Sequence, residues 1–212
     1  MSDLAFLDTV RTSYDTVAAG YSALFADDLA GQPVKRSMLT LFAEMASGPT
    51  ADVGCGPGHV TAFLGSLGVD VLGVDLSPGM VAQAQANYPE LRFEVGSMTA
   101  LAHPADSLGG LNAFFSTIHL PDDELPAVFA EFHRVLVAGA PVMLAFQVGD
   151  DPKHFAEAWG FEVDLVIHRR RPEMVAALLT EAGFQVAVTL IHEPAAVEPR
   201  RQAAYLIARR GA

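Results

Sequence analysis

The ten residues ADVGCGPGHV, Ala51 to Val60, place three glycines and a proline between an apolar strand signal and the start of an amphipathic helix. Glycine reaches backbone conformations with positive φ and lets other groups come close to the main chain. A strand that enters such a bend and leaves it as a helix opens a βαβ unit, with the helix N-terminus facing a crevice at the strand's carboxyl end. The bend alone admits two readings: a tight turn with nothing against it, or a loop that lies against a ligand. In the nicotinamide fingerprint GxGxxG a third glycine is due at position 59, but His59 stands there and the glycine is Gly58. That shift weakens a dinucleotide reading.

The surrounding pattern is that of an α/β domain. From Leu4 to Ala46 apolar residues recur three and four apart, with breaks near Gly20, Gly31 and Pro33, and no strand signal appears. From Thr50 to Val148 the short apolar runs ADV, VDVLGVD, LRFEV, LNAFFS and PVMLAF alternate with helical segments, the mark of a parallel sheet. Val60, Phe63, Leu64 and Leu67 form one helix face, and Ser77-Pro78 reads as an N-cap followed by proline at the first helical position. Leu120 to Glu124 is expected to start another helix, whose core face is Leu125, Val128, Phe129, Phe132 and Leu136. After Gly149 the stretch DDPKHFAEAWGFEVDLVIHRRR reads as less regular. A helix from Pro172 to about Gly183 follows, then QVAVTLI and AAYLIAR, expected to pair antiparallel. No linker or internal repeat divides the chain. The expectation is one domain, with a helical cap at 1–46, a core at 47–148 and an acceptor-side segment with the C-terminal hairpin at 149–212.

Charge bears on the partner. Against 25 acidic residues the chain has 13 Lys and Arg, a formal net charge of −12, which argues against a nucleic-acid substrate and for a small molecule. No apolar run approaches the ~18 residues of a membrane span and no leader pattern is evident, so no membrane association and a cytoplasmic location are expected. The single cysteine, Cys55, fits a reducing compartment and no multi-thiolate site. The histidines and carboxylates show no metal-binding spacing, so no metal is expected.

Asp75 ends the run VDVLGVD about 20 residues after Gly54, the spacing of a carboxylate that accepts both hydroxyls of a ribose. Its other reading is a cap for the next turn, a role Ser77 already fills. Taken in order, DVGCGPG, GVDLSPGM, FEVGSMTAL and FFSTIHLP resemble the class I S-adenosylmethionine-dependent methyltransferases of the small-molecule type. YDTVAAGYSALF, Tyr14 to Phe25, resembles their helical cap, and EFHRVLVAGAPVMLAF their segment around the fifth strand. The resemblance implies a Rossmann-like, seven-stranded, mostly parallel sheet with a reversed C-terminal β-hairpin, helices on both faces and an N-terminal helical cap. It implies S-adenosyl-L-methionine as cofactor, S-adenosyl-L-homocysteine as its product, and a small-molecule acceptor methylated on oxygen, nitrogen or carbon.

It also implies roles. Asp52, Gly54, Cys55, Gly56 and Gly58 would hold the methionine part of the cofactor, Asp52 near the amino group, and Asp75 would hold the ribose. Leu76 and Met80 would cover one adenine face, and Gly96, Ser97 and Met98 the other. Phe115 and Ser116 would lie near the transferable methyl, with Tyr14 and Tyr21 closing over the sulfonium and carboxylate ends. Two positions depart from the pattern. Ser97 stands where many relatives carry an acidic residue for the adenine amine, and Gly109-Gly110 stand where many carry an aspartate.

Methyl transfer is an in-line displacement that needs the acceptor held about 3 to 3.5 Å from the methyl; a base helps only when the acceptor must lose a proton. His119, after the fourth strand, is the candidate base and acceptor contact; its other reading is a capping histidine before Pro121. His154, Phe155 and Trp159 fall where relatives build the acceptor wall, although Trp159 also reads as a loop anchor in the core. The run His168-Arg169-Arg170-Arg171 reads as a solvated face or as an attractor of an anionic acceptor. A thiol at a helix N-terminus can be reactive, but Cys55 reads as a space-filler. Three rivals keep the same cofactor pocket or fold: an isomerase or cyclase that moves no methyl, a non-catalytic cofactor-binding module, and a nicotinamide oxidoreductase. Monomer and homodimer both stay open.

Overall fold

The computed structural model describes residues 5–25, 28–193 and 202–211. Leu4, Ala26 and Asp27, which fall within the expected cap, lie outside the described residues. Two helices come first, α1 (Ala5–Phe25) and α2 (Pro33–Met45), the second with proline at its first helical position, where a missing N–H costs nothing. The core follows as β1 (Thr50–Val53), α3 (His59–Ser66), β2 (Val71–Asp75), α4 (Pro78–Asn87), β3 (Arg92–Val95), β4 (Gly110–Phe114), α5 (Leu125–Val135) and β5 (Pro141–Gln147). The last elements are β6 (Lys153–Ala158), β7 (Phe161–Ile167), α6 (Pro172–Glu181), β8 (Phe184–His192) and β9 (Ala203–Arg210).

Seven strands form one sheet in the order β3-β2-β1-β4-β5-β9-β8. The strands β1 to β5 run parallel, and β9 is antiparallel to both β5 and β8. The expected fold class is therefore the observed one. The chain moves outward from β1 to β3 and then restarts at β4 on the other side of β1. Ligands of such sheets bind at this reversal, beyond the carboxyl ends of the strands.

Strand β5 shows why the centre of the sheet is apolar throughout. Val142, Leu144 and Phe146 point into a cluster with α5 and α6, while Met143 and Ala145 point into a second cluster with α2 and α3. The period of 2 sends alternate residues to opposite faces, and both faces are covered. Strand β9 repeats the pattern, with Ala204, Leu206 and Ala208 on one side and Tyr205 and Ile207 on the other. The α5 face is as expected: Leu125, Val128, Phe129 and Phe132 are buried, each contributing roughly 1.5–3 kcal/mol. Its first turn, Asp122–Glu124, is 3₁₀ rather than α, and the α-helix begins at Leu125 with Pro126 in its first turn.

The stretch after Gly149 corrects the sequence reading. It is a regular two-stranded sheet, β6 against β7, with a bulge between Phe155 and Glu157. Ala158 pairs with Phe161, so the turn is the dipeptide Trp159-Gly160, and both residues have positive φ, 53° and 82°. That is the two-residue turn whose twist suits a hairpin, usually built from Asn-Gly. The alternation Phe161, Val163, Leu165, Ile167 was visible, but a tryptophan in the turn hid the signal.

This hairpin and α1 close over the carboxyl ends of the strands, and three consecutive α1 residues fix the closure. The Ser13 hydroxyl accepts from the Asp164 amide of β7 at 3.0 Å. Tyr14 bonds His119 after β4 at 2.8 Å. Asp15 accepts from the Ser77 hydroxyl at 2.5 Å and from the Gly79 amide at 2.9 Å at the start of α4. No helix among the described residues is long and apolar enough to cross a membrane.

Candidate functional site

A cavity of about 840 Å³ lies between this cover and the strand ends, within the range of small-molecule sites. Its floor at one end is the glycine bend. Gly54, Gly56 and Gly58 all have positive φ, 74°, 54° and 89°. A Cβ at Gly54 would lie 2.2 Å from Cβ of Ser116, and one at Gly58 would lie 2.9 Å from the Phe93 ring. At Gly56 a Cβ would meet nothing within 4 Å. The first and third glycines are thus needed for packing, and the middle one by its backbone angle, which keeps the bed of the cavity clear.

Asp75 stands at the tip of β2 on the same floor. Its two oxygens accept from the Gly56 amide at 2.7 Å and the Ser77 amide at 2.9 Å. These bonds orient the carboxylate and tie the bend after β1 to the turn after β2. Burial pushes its pKa up, opposed by the amide bonds. Each oxygen retains acceptor capacity toward the cavity. Ser77 caps α4 as expected, accepting from the Met80 amide at 3.0 Å.

Asp52 is 1 % exposed. Its oxygens accept from Thr61 Oγ1 at 2.6 Å and Asn112 Nδ2 at 2.7 Å, and burial raises its pKa to about 6. It reaches the cavity lining but chiefly ties β1 to α3 and β4. The Cys55 thiol is also pushed well up by burial and packs against Phe93, Val81 and Ala84, an inert filler. Leu76, Met80, Gly96, Ser97 and Met98 line the same end. The Ser97 hydroxyl sits 2.8 Å from Thr99 Oγ1 and also accepts from the Thr99 amide. At the second departure from the family pattern, no side chain fits: a Cβ at Gly109 would be 1.6 Å from the Ser47 carbonyl oxygen.

Phe115 follows β4 with φ of 54°, an uncommon angle for an aromatic residue. Next to it the Ser116 hydroxyl donates to the Val53 carbonyl at 2.7 Å, which joins the ends of β4 and β1. His119 is buried in the cavity wall. Its Nδ1 is 2.9 Å from the Val166 carbonyl, so that nitrogen carries the hydrogen and Nε2 accepts from Tyr14. Burial lowers the His119 pKa to about 4, and burial together with Tyr21 holds the Tyr14 phenol well above its ordinary value. Near neutral pH the pair is a neutral imidazole and a protonated phenol.

Of the three expected acceptor-wall residues, Phe155 and Trp159 line the cavity. His154, one step out of phase on β6, points away and bonds the exposed Asp164 at 2.7 Å. Trp159 is not anchored in the core: it is 36 % exposed and packs edge-on against Tyr21 at 4.8 Å, closing an aromatic group with Tyr14 and Phe25. The arginine run splits three ways. Arg170 is buried, bonding Asp122, the Thr117 carbonyl and the Leu120 carbonyl, and so holds the loop that presents His119. Arg171 is exposed and pairs with Asp150. Arg169 turns into the cavity. Sequence reasoning missed Lys35, which lines the cavity from α2, 2.5 Å from Asp28 and 5.7 Å from the Phe115 ring centre. It also missed His59, whose Nδ1 is buried with no partner among the described residues. Neither belongs to a spacing pattern. No group of His, Cys, Asp or Glu among the described residues is arranged to hold a metal ion.

Residues 51–139 match a family model described as a methyltransferase domain. The trans-aconitate 2-methyltransferase of Rhizobium meliloti (strain 1021) is 34 % identical over 126 residues, 56 % of this chain and 46 % of the relative. A demethylmenaquinone methyltransferase of Chlorobaculum parvum is 35 % identical over 89 residues, 42 % of this chain and 36 % of the relative. The chain spans about half the length, or less, of these curated relatives. Among solved structures, the 1,6-didemethyltoxoflavin-N1-methyltransferase of Burkholderia thailandensis superposes with a TM-score of 0.75 at 19 % identity. That match covers all of this chain and 92 % of the other, which was solved with its acceptor and S-adenosylhomocysteine bound.

Proposed function

From residues 51–139 matching a methyltransferase-domain family model, and from a fold shared with a solved methyltransferase, we propose an enzyme that moves a methyl group from S-adenosylmethionine to a small molecule. One observation carries the reading. The carboxylate of Asp75 is held at the floor of the cavity by the amides of Gly56 and Ser77, beside a bend whose middle glycine leaves its bed open. That arrangement fits a ribose diol over Asp75 and an amino-acid tail over the bend. Leu76, Met80 and Met98 offer apolar faces for the adenine, and the Ser97 hydroxyl stands where an acidic partner is more usual. Lys35 is the cation best placed near the bend for the tail carboxylate. The relatives named for trans-aconitate and demethylmenaquinone support a small-molecule acceptor without fixing which one.

When bound, the cofactor supplies an electrophilic methyl on a sulfonium. The chain's task is then to exclude water, hold the acceptor in line and, where needed, take a proton. Tyr14, Tyr21 and Trp159 exclude water from above. Tyr14 is the group proposed to meet the acceptor, and His119 to act behind it. A proton leaving an acceptor hydroxyl passes to the Tyr14 oxygen as the phenol hydrogen passes to His119 Nε2. The low pKa of His119 keeps Nε2 free of a proton at neutral pH. Its Nδ1–H bond to Val166 fixes which nitrogen faces Tyr14.

Incubating the protein with S-adenosylmethionine and candidate acceptors, followed by mass spectrometry, tests the reading. A product one methylene heavier supports transfer, whereas an isobaric product favours the isomerase or cyclase alternative.

A further inference from the structure

We propose that the far end of the cavity is a carboxylate-binding subsite built on Arg169, so that the acceptor is an apolar or aromatic molecule bearing a carboxylate. The inference rests on the methyltransferase reading and names the acceptor class for that same site.

The position of Arg169 is set by its neighbours. The Arg170 amide donates to the Gln147 carbonyl at 3.0 Å, which brings this segment to the carboxyl end of β5. The Arg169 stem lies against Gly149, where an added Cβ would be 3.0 Å from its Cδ. Strand β5 is two strands from β1, about 10 Å across the sheet. Arg169 is therefore on the opposite side of Phe115 and Ser116 from the glycine bend, where an acceptor belongs and the cofactor's tail does not.

Arg169 also has no partner among the described residues. Every other described arginine donates to a carboxylate or a carbonyl. Arg169 has no acceptor among the described residues, and its Nε is buried without one. A buried donor left unpaired costs stability, so a guanidinium kept this way facing a cavity is available to a ligand. In a chain of net charge −12 a carboxylate could easily have been placed beside it. Instead the acidic side chains that line the cavity among the described residues are engaged elsewhere: Asp28 with Lys35, Asp52 with Thr61 and Asn112, and Asp75 with two amides.

The chemistry favours a carboxylate. A guanidinium presents a planar fork that matches a carboxylate with two parallel bonds. The side chains of Gln147 and His192 line the same cavity and have no hydrogen-bond partners among the described residues, so both are free to add hydrogen bonds. The ammonium of Lys153, which also lines the cavity, lies 4.5 Å from the Phe155 ring centre. Phe155, Ile167 and Phe115 wall the space between, which suits an apolar body.

The test uses calorimetry on the full chain loaded with S-adenosylhomocysteine, titrated with matched pairs: benzoate and benzamide, cinnamate and cinnamamide, octanoate and octanamide. The expected result is that at least one carboxylate binds tenfold or more tighter than its amide. Arg169→Gln should abolish that preference and Arg169→Lys retain part of it, with S-adenosylhomocysteine affinity unchanged and the melting temperature no lower in either. The subsite is overturned if no carboxylate is preferred, if the preference survives Arg169→Gln, or if it is lost only together with cofactor-product affinity. Failure of the parent protein to bind S-adenosylhomocysteine at all would instead overturn the methyltransferase reading beneath it.

Discussion

The hydroxyl of Tyr14 lies 2.8 Å from Nε2 of His119, although 105 residues separate them in the chain. Because His119 also donates to Val166 in β7, one path of hydrogen bonds joins the cap helix, the loop after β4 and the β6–β7 hairpin. The lid of the cavity and its proposed proton acceptor are thus one structural unit, and disturbing either should register in the other.

Protonating His119 is therefore expected to cost stability. Its pKa falls from 6.5 unfolded to about 4 folded. Between those values the unfolded chain binds more protons, so this contribution is fully present above about pH 6.5 and is lost as pH falls toward 4. Its size is at most ~3 kcal/mol. Asp52, raised to about 6, acts with the opposite sign over much of the same range, so the parent protein alone does not isolate the effect. The difference in melting temperature between His119→Gln and the parent does: it should move in the variant's favour from pH 7 to pH 4.5.

At Gly54 an added methyl group meets both an unfavourable backbone angle, φ of 74°, and Cβ of Ser116 at 2.2 Å. Gly54→Ala should cost about 2–4 kcal/mol in urea unfolding. Adding Ser116→Gly removes the clash but not the angle, so the double variant should recover only part of the loss. Full recovery would mean that the angle costs nothing.

Trp159 is the only tryptophan in the chain and stands in the cavity lining against Tyr21. Its fluorescence should change saturably on titration with S-adenosylhomocysteine or acceptor. Acrylamide quenching, appreciable in the free protein because the ring is one-third exposed, should fall. A signal indifferent to any ligand would remove Trp159 from the cover.

The parallel core was legible because its strands are apolar on both faces and its helices carry period-3.6 stripes. The capping pair Ser77-Pro78 and the α5 face could be read for the same reason. The β6–β7 hairpin was not, since Trp159-Gly160 is an unusual pair for a turn with two positive φ angles and the alternation of β7 went unused. The floor of the candidate site follows from local spacing: three glycines and, at the end of the next strand, an aspartate. Its walls do not. Ser13, Asp15 and Lys35 reach the site or its cover through contacts between distant elements, which no local pattern records, and the arginine run did not tell which of its three members turns inward. His154 shows the converse, since a place in the right segment did not give it the right face of its strand.

The account rests on Asp75 and the bend from Gly54 to Gly58 holding an adenosyl amino acid, and calorimetric titration of the purified chain with S-adenosylhomocysteine tests this directly. The parent should bind one equivalent saturably, and Asp75→Ala, still folded by circular dichroism, should bind roughly 10- to 100-fold more weakly, a loss of about 1.4–3 kcal/mol. No saturable binding by the parent, or equal affinity in the folded variant, would contradict it.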